Sequence, residues 1–250
     1  MRFISSFFFS LLAFQVLAVD TSQKYTYSVP PFEPFYYPEL SSCTGIADDL
    51  SQQLFTTLGV QSTRLTLPYS RILHSVANNK VDMALIFRNS SIENTSTYIG
   101  PISLSRVLII TAPKITVEKY EDLYQLNSVA VIRDAQFHKH FDQDEKIKKV
   151  AVKSYSQAIK MLEKGRVDAV IGSDIGLVHA MKTLDVRNDY MTTAYELGKK
   201  AWYFHFHRQS KLLAHTREIK DWVRANYRSD LMISNYVTMH DSCSSQKPTR

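Results

Sequence analysis

The stretch Asn79–Phe87, NKVDMALIF, has a counterpart 86 residues further on at Gly165–Ser173, GRVDAVIGS. At that same offset Ser70, Leu73, Val76, Lys80, Val81 and Asp82 fall on Ser156, Ile159, Leu162, Arg166, Val167 and Asp168. In each copy, apolar residues at helical spacing lead through a turn (Asn79-Lys80, Gly165-Arg166) into a short apolar run. This is the pattern of an amphipathic helix delivering a buried strand. Two such units require two helix-on-sheet layers, because a strand apolar on both faces needs cover on both. Asp82 and Asp168 start the strands, where a carboxylate can accept backbone N–H bonds from the turn. Their recurrence in one local frame favours architecture over catalysis.

The remaining chain alternates in the same way. Lys24–Val29 is β-rich and runs into the Pro/aromatic loop PPFEPFYYPELSSC. Thr44 is placed to cap a helix through Leu58, with Gly59 ending it. VQSTRLTLP reads as a strand, YSRILHSVANN as a helix and VLIITAP as a strand. A second round gives a short helix at EKYEDLYQL, strands at SVAVIR and KVAVKS, and a polar helix or loop at FHKHFDQDEKI. YSQAIKMLEKG reads as a helix, RVDAVIG as a strand and DIGLVHAMKTL as a helix. In KAWYFHFHR, Trp202, Phe204 and Phe206 share one strand face, and Tyr203, His205 and His207 the other. A long helix starts near Ser210, and HDSCSSQKPTR reads as a polar, mobile tail. The expectation is an α/β chain with parallel-type sheets in two lobes of about 90 residues each, at the small end of domain size.

Met1-Arg2, an apolar Phe3–Leu17 and the small-residue pattern Val16-x-Ala18 predict a secretory signal peptide over residues 1–18. That run is too short for a membrane span, which needs about 20 residues. The net charge of +6 is spread along the chain, with Lys146, Lys148 and Lys149 the one cluster. There is no basic stripe interleaved with aromatics, so nucleic-acid binding is not expected. In an exported chain Cys43 and Cys243 are a possible disulfide. His205-x-His207 lacks a third ligand at metal spacing, so neither metal nor cofactor is expected. The nucleophile-elbow, phosphate-loop and zinc-protease motifs are absent from the sequence.

The ordered set VPPFEPF…GIADDL, LPYSRILHSVANNKVDMAL, VAVIR, SYSQAIKMLEKGRVDAVIGSD and YFHFHRQSKLL resembles the bacterial family 3 extracytoplasmic solute-binding proteins. These are the polar amino-acid-binding type of periplasmic binding protein. The likeness runs over residues 24–236. It implies the type 2 periplasmic-binding-protein fold, two Rossmann-like lobes joined by two crossing strands. Lobe I would be 19–111 plus 201–250 and lobe II 112–200, with crossings at Thr111-Ala112 and Lys200-Ala201. It implies a small polar solute, such as an amino acid, closed upon by hinge motion in the interlobe cleft. A monomeric periplasmic protein would then serve an inner-membrane ABC-type permease or a sensor receptor, and would not be an enzyme.

The resemblance also nominates residues. Phe32 falls where the family places an aromatic over the ligand, and Phe35 lies in the same loop. Tyr69 and Arg71, in LPYSR, start a helix that follows a strand and should face the cleft, where Arg71 could clamp a carboxylate. Asn89 and Ser91, in RNSSIEN, fall on the family's two Thr positions, and Asn94 falls on its carboxylate-binding Arg. Arg88 or Arg71 would then have to supply that charge. Arg133 and Asp134, in VIRDAQF, stand where the family has a Gly-Thr turn. Asp174 matches the acid that holds an α-amino group, although a helix N-cap is the plainer role. The alternative is a hydro-lyase of the cyclohexadienyl dehydratase type, with Asp134, Asp174 or Glu93 as acid or base. A degenerate lobe pair that binds a protein, or nothing, is the third reading.

Overall fold

The computed structural model describes residues 23–37, 43–186 and 189–244. The expected signal peptide lies outside them, as do the last six residues of the expected tail. Among the described residues, no helix is long and apolar enough to cross a membrane.

The first round comprises β1 (Lys24–Ser28), α1 (Ile46–Leu58), β2 (Gln61–Arg64), α2 (Tyr69–Ala77) and β3 (Met83–Phe87). A long strand, β4 (Ser96–Thr111), follows. The second round comprises β5 (Val129–Ile132), α3 (Lys139–Gln143), β6 (Lys149–Val152), α4 (Tyr155–Glu163), β7 (Ala169–Ser173) and α5 (Asp174–Thr183). After α6 (Asp189–Thr192), a second long strand, β8 (Tyr195–His207), leads to α7 (Thr216–Asn226) and α8 (Leu231–Ser244). The residues EKYEDLYQL form a 3-10 turn over Tyr120–Gln125 rather than an α-helix.

The strand order is β2-β1-β3-β8-β4-β7-β5-β6. It reads alike from either edge: β1 pairs in parallel with β2 and β3, as β5 does with β6 and β7. The long strands close each half antiparallel, β8 against β3 and β4 against β7, and pair with each other in the middle. The expected parallel sheets are therefore present in each round, and the antiparallel strands join them. Pairing of β4 with β7 begins at Val107. The β4–β8 register shifts between Ile99 and Ser103, ahead of that handover.

The repeated aspartates have equivalent partners. Asp82 accepts from the Thr26 N–H at 2.7 Å and the Thr26 hydroxyl at 2.9 Å. Asp168 accepts from the Asn127 backbone N–H and, at 2.9 Å, its side-chain amide. Each carboxylate thus ties its strand to the neighbouring strand's chain, not to its own turn as expected. The backbone repeats the tie, with Asp82 N–H on Thr26 O and Asp168 N–H on Ser128 O, both 3.0 Å.

Other differences are local. Helix α1 is entered through Gly45 at φ 91°, with no side-chain cap, so Thr44 is not the cap expected. An added Cβ at Gly45 would come within 2.6 Å of the Phe35 carbonyl. That crowding explains why the entry is a glycine. The residues read as the start of the mobile tail continue α8 to Ser244. Cys43 is disulfide-bonded; the chain's other cysteine, Cys243, stands in α8, and its side chain lies outside the described part.

Because both aspartates hold backbone donors, Asp82→Ala and Asp168→Ala should each lower unfolding free energy by about 1–3 kcal/mol in urea titrations. Neither should alter a ligand response. His205, buried in β8, keeps its Nδ1 3.1 Å from Tyr203 O. Burial pushes its imidazole from 6.5 down to about 4. The unfolded chain therefore takes up this proton first. Stability should be full above pH 6.5 and fall by up to about 1.4 kcal/mol per unit toward pH 4. In urea titrations at pH 7 and pH 5, His205→Gln should flatten that slope.

Candidate ligand site between the halves

At the ends of β1, β3, β5 and β7 the two halves face each other across an aromatic cavity. Its walls are Pro30, Phe32, Phe35, Tyr69 and Phe87 from the first round, with Ile132, Ala135, Phe137, Tyr155 and Ser173 from the second and Trp202 from β8. This is where open α/β sheets place ligands, outside the carboxyl ends of parallel strands. The rings fill most of this space and leave about 20 Å³ open to a water-sized sphere. That is room for roughly one water molecule.

The rings interlock across the halves. Phe32 stands edge-on to Tyr155 at 5.3 Å and 84°. Phe87 lies 4.3 Å from Trp202 and 6.4 Å from Phe137, centroid to centroid. Phe35 lies 4.9 Å from the same indole. These spacings suit aromatic pairs, which prefer edge-on or offset contacts. The Tyr155 ring also lies against α5, where an added Cβ on Gly176 would meet it at 2.2 Å.

The repeat organises this lining. Tyr69 and Tyr155 are related by the 86-residue offset and each opens a helix, α2 and α4. Phe87 and Ser173 are related by the same offset and each ends a strand, β3 and β7. In the second half, the Tyr155 hydroxyl accepts from the Ser173 N–H at 3.1 Å and lies 3.3 Å from Ser173 Oγ. Burial pushes it up to about 12 despite those bonds. In the first half Phe87 has no hydroxyl to offer. Tyr69 is a buried residue, and its hydroxyl makes no hydrogen bond among the described residues. Burial, and then the neighbouring Tyr155, raise its pKa well above the ordinary phenol value.

The nominated residues divide. Phe32, Phe35 and Tyr69 line the cavity, and Arg71 does not, being exposed on the outside of α2. Asn89 and Ser91, with Asp134, line a groove outside the cavity together with Gln136, Asp142 and Lys149. In its wall, the Asp142 carboxyl accepts from the Phe137 N–H at 3.0 Å and is raised by burial. Arg88 lies in a further groove, paired with Glu93 at 2.7 Å and stacked 4.2 Å over Tyr98. Asn94 is in that groove too, and Arg133 is exposed. Asp174 is the first residue of α5, and Ser173 is the cap. Its carboxylate accepts from its neighbour Ile175 N–H at 2.8 Å and pairs with Arg106 at 3.3 Å. Neither charge that was to hold an amino acid therefore lines the cavity.

The RNSSIEN loop has instead become a lobe-to-lobe contact. The Asn89 amide donates to Asp134 O at 2.7 Å, in a turn where Asp134 has φ 61°. Asn89 Oδ1 meanwhile accepts from the Ser91 N–H at 3.0 Å. Ser90 and Gln136 exchange two bonds, Ser90 N–H to Oε1 and Nε2–H to Ser90 Oγ, both 2.8 Å. On the opposite rim His179 Nε2 lies 2.9 Å from Glu33 Oε2. The protein's own groups thus bridge the two halves at both rims.

Phe87, Phe137, Tyr155, Ser173 and Trp202 were not singled out from the sequence. Tyr155 carried a usable sign, since it matches Tyr69 at the repeat offset. Phe137 and Trp202 carried none, because their approach depends on how the halves pack.

No family model matches the sequence, and no curated protein matches it. Solved structures do. The chain is 17% identical to the arginine-, lysine-, histidine-binding protein ArtJ from Geobacillus stearothermophilus, over 91% of this chain and 97% of that one, with a TM-score of 0.66. A histidine kinase sensor domain with similarity to periplasmic binding proteins gives 13%, 89%, 96% and 0.69. An ancestral amino-acid-binding protein, a precursor of cyclohexadienyl dehydratase, gives 14%, 88%, 94% and 0.65. The chain therefore has the type 2 periplasmic-binding-protein fold. The likeness read from the sequence is matched in three dimensions.

Removing the latch should favour the open form. With fluorophores on the two halves, Gln136→Ala and Asn89→Ala should each raise the open population, by roughly fivefold for each net bond of about 1 kcal/mol lost. Unchanged inter-lobe distances in both variants would show that these bonds do not hold the closed state.

Proposed function

We propose that this chain is a divergent extracytoplasmic solute-binding protein that closes its two lobes over a small molecule in the aromatic cavity. The observation that carries this is the cavity's position, between two matched lobes at the carboxyl ends of their parallel strands. Lobe I comprises the β1–β3 round with α7 and α8, and lobe II the β5–β7 round. The crossings fall ahead of Val107 in β4 and near Gly198–Ala201 in β8, where the strand partners change. Export by a cleaved signal peptide, release in the periplasm, and delivery to an ABC-type permease or a sensor receptor complete the reading. The type of fold fits both destinations, since its solved examples include a transport binding protein and a sensor domain.

The cavity lining also bears on chemistry. Among the described residues, no carboxylate, imidazole or amine lines it, and the Ser173 hydroxyl is engaged as a helix cap. A hydro-lyase would need a positioned acid or base in that space. Asp134, Asp174 and Glu93, the carboxylates nominated for it, lie in the groove, on Arg106 and on Arg88. Binding accounts for this lining more directly than catalysis does.

Thermal unfolding in the presence of amino acids, polyamines, dicarboxylates, small peptides and neutral aromatics tests the proposal. One class should raise the Tm, by about 2.7 kcal/mol of stabilisation at a hundredfold excess over Kd. Tyr155→Ala should lose the response and Arg71→Ala should keep it. The proposal fails if no class shifts the Tm and inter-lobe distances do not respond to any of them.

A further inference from the structure

The repeat relates two pairs of cavity residues: Tyr69 and Tyr155 agree, Phe87 and Ser173 do not, and that difference has a chemical consequence. In lobe II the strand-ending Ser173 meets the tyrosine that opens the preceding helix, α4: its N–H donates to the Tyr155 hydroxyl at 3.1 Å, and its Oγ, which a phenylalanine lacks, lies 3.3 Å from that hydroxyl. In lobe I the strand-ending residue is Phe87, and the hydroxyl of Tyr69 has no hydrogen-bond partner among the described residues. The other polar groups of the lining are already engaged: the Trp202 indole N–H donates to Ser105 Oγ at 3.0 Å, and Ser173 Oγ caps α5. The Tyr69 side chain is more than nine-tenths buried, with a relative exposure of 8%, and its hydroxyl stays protonated because burial raises its pKa. One neutral hydroxyl is therefore open inside a wall of rings.

We propose that the ligand is a small, uncharged aromatic molecule carrying one hydrogen-bonding group, of the phenol or indole kind, with that group on Tyr69. This rests on the solute-binding reading above and narrows it. A charged ligand would be desolvated here with no opposite charge to meet it, at a cost of several kcal/mol. Phe32, Phe87, Phe137, Tyr155 and Trp202 offer ring faces and edges from both lobes, and an aromatic guest recovers the contacts that lobe opening breaks. The small room left in the closed form requires the rings to part on entry.

The test is a titration of phenol, indole, toluene, benzoate and phenylalanine, read by Trp202 fluorescence and by Tm. Phenol and indole should bind, and phenol should bind roughly tenfold tighter than toluene, the worth of one buried hydrogen bond. Tyr69→Phe, which keeps the ring, should bind toluene as wild type does and abolish the phenol preference. Equal phenol and toluene affinity in the wild type, or a preference that survives in Tyr69→Phe, would overturn the role of Tyr69. Tighter binding of benzoate or phenylalanine than of the neutral compounds would overturn the ligand class and leave the solute-binding reading standing. Saturable binding of an amino acid or polyamine with no neutral compound bound would do the same. Failure of every compound class would sink both.

Discussion

The antiparallel pairing of β4 with β8 is the constraint on which the rest depends. Each round of strands and helices can build a small parallel sheet, but each is left with an open inner edge, at β3 or β7, besides its outer one. The long strands close those edges and bond to each other, so two edges that would template pairing with other chains become a single eight-stranded sheet. The same ladder sets the distance between the strand ends of the two rounds. Phe32 consequently meets Tyr155, and Phe87 meets Phe137, within the range of ring contact.

A shared apolar core follows. The buried cluster runs without a break from Tyr25 and Leu54 in the first half to Phe141 and Leu162 in the second. Closure of the cleft is therefore part of the packing, and the Asn89–Asp134 and Ser90–Gln136 bonds add direction to it. Burial of rings stabilises contact without orientation, at about 25 cal/mol per Å², while hydrogen bonds at the rim select one arrangement. A solute can shift such a clamp between two forms only through the difference in its affinity for them.

Much of the fold was legible in advance because it is periodic. The helix–turn–strand phrase at Leu73–Phe87 and Ile159–Ser173 reflects local rules, and α2, α4, β3 and β7 form where apolar spacing placed them. The role of Asp82 and Asp168 as architecture was legible from recurrence alone, although their actual partner, the adjacent strand, was not. The lengths of β4 and β8 were hidden. Gly100-Pro101 interrupts one apolar run and Gly198-Lys199-Lys200 precedes the other, so only their apolar portions read as strands. The candidate cavity was half legible. Of its lining, Phe32, Phe35 and Tyr69 were named from the sequence, while Arg71, Arg88 and Asp174 drew attention by their charge and by position in a family pattern. A charged side chain at the right sequence position can still point outward or find a nearer partner, as Arg88 does in Glu93 and Asp174 in Arg106.

By itself the sequence determined that the chain builds two like α/β units, and which residues carry each unit's helix and strand. These are consequences of 3.6-residue and two-residue apolar periods, which act within a few residues. Only the tertiary structure decided what the two units enclose. Side chains more than a hundred positions apart, such as Phe32 and Tyr155, line one space because β4 and β8 hold the rounds face to face. No local rule carries that distance. The unmatched hydroxyl of Tyr69 belongs to the same level: it becomes visible when the two halves are superimposed by their repeat and one partner, Ser173, has no equivalent in Phe87.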